Sequence, residues 1–346
     1  MNATVAVLLA QDALINGAIY ALLALTLVMV FSVTRVILLP QGEIVSLAAL
    51  TLAAIETHVV PGTIYLLCAG GALCAALELL NFARTRAVSA LKSAVGYALY
   101  AILVTAATYI IVPMAPGALV RILLTILIVS PLGLFMYRIA FRPLANASVL
   151  VLLIVAMAIH FVMLGFGLMV FGAEGVRTEP VVSGTLRLGS FVLKNQALFV
   201  IAVTIVLIAI MAWFFGRTLA GKALRATAFN RTGARLVGIR TEASGALAFI
   251  LAGVIGTASG LLIAPVTTIY YDTGFLIGLK GFIAAIVGGL ASYPLAAAGA
   301  VLIGLIESYS SFWASAFKDS IVFALIIPVL LWRNLGHAVF SEEEEE

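Results

Sequence analysis

Charge is scarce in this chain. Lys, Arg, Asp and Glu make up 10% of its 346 residues, against about 25% in an ordinary soluble domain. A freely soluble protein is excluded on that ground, and no nucleic-acid partner is expected. Cysteine is scarcer still. Cys68 and Cys74 fall within one predicted span, where they serve packing and define no disulfide framework. Of the three histidines, His160 stands alone in an apolar run with no second metal ligand nearby. It is expected to be an interior histidine with a satisfied ring. There is no His-Glu-x-x-His segment and no Ser-centred elbow. No nucleophile, base and orienter stand together, so neither a catalytic residue nor a metal site is expected. An alternating pattern of about ten residues is also missing, which argues against a β-barrel.

What fills the chain is apolar. Hydrophobic residues total 64%, in runs of about 18–22, the length a helix needs to cross roughly 30 Å of lipid. The expected fold is all-α, a polytopic transmembrane helical bundle of about 10–11 spans. Candidate spans run at 14–34, 36–57, 62–82, 93–112, 117–138, 147–171, 196–215, 243–264, 276–291, 295–312 and 318–334. The ninth is short and holds Gly288-Gly289, so it is expected to be broken or re-entrant, its backbone covered by protein or a water cavity. The apolar N-terminus has no basic leader and is interrupted by Asp12, as in a retained first span. One membrane domain is expected over 1–340, followed by an acidic tail at 341–346 that is a solvated end without a role.

The basic residues set the orientation. If the connection 216–242 lies inside, Arg35, Arg84, Arg86, Lys92, Arg138, Arg142 and Arg333 do too. With the loop's six they make thirteen of the nineteen Lys and Arg. The N-terminus is then outside and the C-terminus cytoplasmic. The long outer segment, 172–195, mixes Glu174 and Glu179 with Arg177, Arg187 and Lys194. Its alternation around Val181 to Val192 predicts a short hairpin or an extended cap.

The inner loop is both long and polar. It carries Arg217, Lys222, Arg225, Arg231, Arg235 and Arg240, with no acid before Glu242. Gly216-x-x-x-x-Gly221-Lys222 imitates the start of a phosphate-binding loop. Ala223 stands where the motif needs Ser or Thr, and a span replaces the strand that should precede it. This chain therefore has no ATPase site of its own. Two readings of the loop stay open. One is topological, positive charge holding a loop inside. The other is a coupling element. Leu219, Leu224, Leu236, Val237 and Ile239 are more apolar than a solvated loop needs, and Gly221, Gly233 and Gly238 can divide it into short helices suited to a partner's groove.

The loop Arg217-Thr-Leu-x-Gly-Lys-Ala-Leu-Arg-Ala-x-Ala, followed by Ala234-x-x-x-Gly-Ile239, resembles the coupling loop of bacterial branched-chain amino acid ABC permeases, H-type subunit. Three further stretches agree. They are Asn16-Gly-Ala-Ile-Tyr20 with Arg35-Val-Ile and Gly42-Glu43, Ala252-Gly253 through Gly260-Leu-Leu-Ile-Ala-Pro265, and Gly278-Leu-Lys-Gly-Phe through Gly289 with Gly304-Leu-x-Glu307. The chain departs from the family at Leu38-Leu-Pro-Gln-Gly42, at Phe229, and in an extra span near 83–116. The resemblance implies a multi-pass permease subunit of the bacterial inner membrane. It pairs with a second homologous permease and two cytoplasmic ATPase subunits, which bind ATP and magnesium, and a periplasmic solute-binding protein delivers the solute. Branched-chain amino acids are the implied cargo, with urea, amides and aromatic acids carried by relatives. Gly221, Leu224, Arg225, Ala226, Arg235 and Gly238 are then the ATPase-coupling residues.

Ionisable groups inside the membrane carry the remaining expectations. A lone Lys or Glu at mid-bilayer costs roughly 2.5–3.5 kcal/mol on insertion scales, so it pairs or faces a cavity. Lys280 and Glu307 should lie at similar depth and form an intramembrane ion pair, structural or gating. Gln41 and Glu43 open the second span and are candidates for the translocation path, with a Glu43 that snorkels to the interface as the alternative. Glu78 can snorkel similarly toward Arg84. Asn16 and Tyr20 share a helix face and are either path-lining or packing groups. Gly256-x-x-x-Gly260 and Gly274-x-x-x-Gly278 allow close helix approach. A self-contained secondary transporter or channel, using Glu43, Lys280 or Glu307 as its ion-coupling group, is the competing reading.

Overall fold

Helices begin and end where the sequence supplies breakers. The computed structural model describes residues 3–86, 88–188 and 191–331. Arg333 and the acidic tail lie outside them. α1 (Ala3–Thr34) stops at Arg35, whose φ is +63°. Pro40 occupies the N-cap of α2 (Gln41–Glu56). α3 (Thr63–Thr85) ends on left-handed Arg86, and α4 (Val88–Ile111) runs into a 3₁₀ turn at Pro113. α5 (Ala118–Val129), α6 (Pro131–Met136) and a π-helical turn at Tyr137–Phe141 form one continuous apolar stretch. α7 (Val149–Phe171) is capped by the Ser148 side chain. Then come the strands β1 (Thr185–Leu188) and β2 (Phe191–Lys194), α8 (Asn195–Arg217), α9 (Leu219–Phe229), α10 (Arg231–Leu236) and α11 (Thr241–Ile263). α12 (Thr273–Val287), α13 (Tyr293–Trp313) and α14 (Lys318–Ala324) close the order.

Among the described residues, eight helices are long and apolar enough to cross a membrane. They match eight of the eleven candidate spans. The other three differ, for local reasons. α2 has 16 residues, held between Pro40 and the left-handed His58, and so reaches only about 24 Å. α12 has 15 residues and is stopped by Gly289 and Leu290, both with positive φ. The last candidate, 318–334, begins as the seven-residue α14, and its final residues fall outside the description.

The contacts divide the chain into two compact units. Among the described residues, the first contains 3–28, 182–188, 191–208 and 279–331; the second contains 29–86, 88–181 and 209–278. In the first, β1 and β2 pair as an antiparallel hairpin with Thr185 opposite Lys194. Gly17 of α1 packs on the α13 backbone at Ala300 and Val301, and Gly304 of α13 meets Ala13 and Gly17. Helices in lipid gain little from apolar burial, so close backbone packing through small residues supplies the attraction.

The second unit is built around α2, in which fourteen of sixteen residues are buried. Glycines of its neighbours face it. Gly256 and Gly260 of α11 meet Ile44, Val45 and Ala48, while Gly274 and Gly278 of α12 meet Gly42. These four are packing devices. Gly133 of α6 and Gly253 of α11 bring those two helices equally close.

Candidate coupling loop and buried polar clusters

The loop 216–242 belongs to the second unit and folds as α9 and α10. Thr218 caps α9 by accepting from the Gly221 amide at 3.0 Å, and Asn230 caps α10 by accepting from Gly233 at 2.8 Å. Asn230 is extended, with φ −149° and ψ +102°, and makes the break between the helices. Gly221 and Gly233 do not; each lies inside a helix as the amide its cap satisfies. Gly238 ends α10 with φ +84°.

Only part of the loop is solvated. Leu224 is buried, and the Thr227 hydroxyl lies 3.2 Å from that of Ser244 on α11. Gly221 presses on the backbone of Phe214 and Phe215. Ala226 is half-buried, while Arg225, Arg235 and Gly238 are exposed. The Arg235 guanidinium donates to the Thr241 hydroxyl at 3.0 Å. The apolar residues the loop presents outward are Leu219, Phe229, Leu236 and Val237, each at least 76% exposed. Of the six residues singled out for coupling, then, Gly221 and Leu224 anchor the loop from beneath and the exposed ones border its outer face.

Glu43 does not snorkel. It is buried near the start of α2, and its Oε1 lies 2.7 Å from His160 Nδ1 on α7. The Phe275 ring stacks on the imidazole, with centroids 4.4 Å apart. Gln41 is equally buried and donates to the Ala252 carbonyl at 2.9 Å. Glu43 Oε2 and Gln41 Oε1 have no hydrogen-bond partner among the described residues. Glu78 turns away from Arg84. Its carboxylate receives Arg138 at 2.8 Å and lies 3.6 Å from Arg142, because the π turn carries both arginines toward it.

In the first unit, Lys280 Nζ contacts Glu307 Oε1 at 2.5 Å and Asp319 Oδ1 at 2.9 Å. The Tyr20 hydroxyl donates to Glu307 Oε2 at 2.5 Å. The structure thus brings together Lys280, Glu307 and Tyr20, which the sequence singles out, and adds Asp319, which it does not. Asn16 stands one turn before Tyr20 and is half-buried. The Glu43–His160 contact is the other feature missed. Its one sequence signal is that two polar residues in apolar runs each need a partner.

Comparison with known proteins finds a family and several relatives. The family model described as branched-chain amino acid transport system / permease component matches residues 9–330. LivH, the permease protein of a high-affinity branched-chain amino acid transport system in Salmonella typhimurium, is 30% identical over 219 residues, covering 61% of this chain and 71% of LivH. Its counterpart BraD from Pseudomonas aeruginosa is 28% identical over 220 residues, with the same two shares. LsrC, the autoinducer 2 import system permease protein of Shigella flexneri, is 33% identical over 132 residues, 38% of this chain and 36% of LsrC. No solved structure matches.

Proposed function

Because this chain belongs to the family of permease components of branched-chain amino acid transport systems, we propose that it is one of two membrane subunits of a bacterial inner-membrane ABC importer. Its cargo is a branched-chain amino acid or a related small polar or carboxylated solute. The partners are a second homologous permease, two cytoplasmic ATPase subunits and a periplasmic solute-binding protein. The N-terminus lies outside and the C-terminus in the cytoplasm.

One observation carries this reading beyond the family. The loop is two capped helices fixed from beneath and apolar above. A loop serving topology alone needs charge and no exposed Phe229, Leu236 or Val237. A coupling element needs what is present: a rigid base and a face for a partner's groove. ATP and magnesium, bound by the partner subunits, supply the driving energy. This chain transmits it. A push on α9 passes through Leu224 and the Thr227–Ser244 contact into α11, and α11 grips α2 through Gly256 and Gly260. Rocking of that block shifts Gln41 and Glu43, two of the residues proposed for the path, in a two-state switch.

Affinity purification from the native membrane tests the reading. Co-purification of a second permease and an ATPase is expected. A chain that emerges alone and moves solute in liposomes without ATP would overturn it and favour the ion-coupled alternative through Glu43, Lys280 or Glu307, whose burial is the observation on its side.

A further inference from the structure

A cleft of about 720 Å³ opens where the apolar stretch Ala118–Phe141 ends and α11 begins. Arg138 and Arg142 line it from the π turn; Arg235, Arg240 and Glu242 line it from the loop and the first turn of α11. The π turn is closed by a 2.7 Å bond from the Arg142 amide to the Tyr137 carbonyl. It is held by the Tyr137 hydroxyl, which donates to the Glu242 carbonyl at 3.1 Å.

The charges do not balance. Glu78 is taken by Arg138 and Arg142, and Glu242 accepts from Arg142 at 3.1 Å. Arg235 reaches only a hydroxyl. Arg240 meets no carboxylate among the described residues. As the N-cap of α11 it also offers no side-chain acceptor to that first turn. Arg138 Nε is buried without an acceptor. Four guanidiniums therefore line one concavity against two acids. Holding a loop inside requires positive charge, but it requires neither a cavity nor a spare donor within it. Arginine forks match phosphate oxygens two at a time, and the volume falls in the usual range for a small-ligand pocket.

We propose that this cleft binds a phosphate-bearing anion, through Arg235 and Arg240 with Arg138 and Arg142 behind them. Two sources share that chemistry. One is the head group of an anionic lipid, since the cleft lies at the ends of two candidate spans. The other is a soluble phosphate compound.

The test uses the full chain alone, so it succeeds or fails independently of any ATPase on the loop. In one arm the chain sits in nanodiscs of zwitterionic phosphatidylcholine and is titrated calorimetrically with inorganic pyrophosphate. In the other, phosphatidylglycerol retained by the detergent-purified chain is counted by native mass spectrometry. Arg235→Gln with Arg240→Gln is expected to weaken the bound probe at least tenfold, and Arg240→Gln alone by an intermediate factor. Lys222→Gln with Arg225→Gln removes the same charge outside the cleft and is expected to change binding less than twofold. Pyrophosphate binding assigns the soluble source; lipid retention assigns the head group. The proposal is overturned if neither probe saturates, or if both double variants weaken binding equally, which is the signature of diffuse surface charge.

Discussion

Glu43 and His160, 117 positions apart, meet inside the second unit with both side chains almost wholly removed from solvent. Neither can turn to water if the other is lost. His160→Ala should therefore destabilise the chain by about 2–3 kcal/mol, the cost of leaving a buried carboxyl group unsatisfied. Glu43→Met combined with His160→Phe should recover most of it, since apolar groups of similar shape replace buried polar pairs at little cost. Denaturant unfolding of the purified chain in detergent would measure both. A single substitution as stable as wild type would refute the interdependence.

The Lys280 cluster makes a different prediction, because the ammonium faces two carboxylates. Lys280→Glu with Glu307→Lys should fold better than either single reversal, yet stay below wild type, since the carboxylate introduced at position 280 then faces Asp319. Adding Asp319→Asn should bring a further gain. Tyr20→Phe removes one hydrogen bond to a buried carboxylate and should cost about 1.5–3 kcal/mol. Yield and thermal melting of the five variants would rank them. A double reversal no better than its singles would contradict the pairing.

Glycine substitutions separate close packing from empty space. A Cβ on Gly42 would strike the Gly274 carbonyl, so Gly42→Ala should cost about 1–3 kcal/mol, as overpacking does. Gly96, within α4, has nothing within 4 Å of its added Cβ. Gly96→Ala should stabilise by about 0.5–1 kcal/mol, the helix preference for alanine. Opposite shifts in melting temperature are expected, and equal ones would contradict the packing described.

Loop substitutions should split into two classes. Leu224→Ala empties a buried position and should lower stability by about 2–5 kcal/mol, and Asn230→Ala should lower it by about 1 kcal/mol through the lost cap. Phe229→Ser with Leu236→Ser touches only exposed side chains. It should leave the melting temperature unchanged and reduce ATPase co-purification. Full retention of the ATPase by that variant would remove the apolar face from the coupling scheme.

What the sequence discloses depends on range. Apolar length reveals eight spans because span length is a local property. Lys280 and Glu307 can be paired from depth alone, since each opens or closes a predicted helix next to the other. The fate of Glu78 is not legible, because nearness in sequence misleads. Arg84 is six residues on, roughly 120° around the helix, whereas Arg138 arrives from another element. Asp319 escapes because it opens the last candidate span, and nothing local sets its depth against Lys280. Pro40 does signal that α2 starts late, but nothing local shows that fourteen of its sixteen residues are buried.

That short, largely buried α2 sets a problem of timing during synthesis. With 16 residues it does not match the bilayer, and the side-chain partners of Gln41 and Glu43 both lie on other helices. The Ala252 carbonyl that takes the Gln41 amide is encoded 211 residues later. At ordinary ribosome speeds of about 5–20 residues per second, the gap is on the order of 10–40 s. For that interval α2 has no permanent place. It must wait at the insertion machinery or against a provisional neighbour until α11 emerges, which makes the nascent chain most vulnerable to quality control between these two helices.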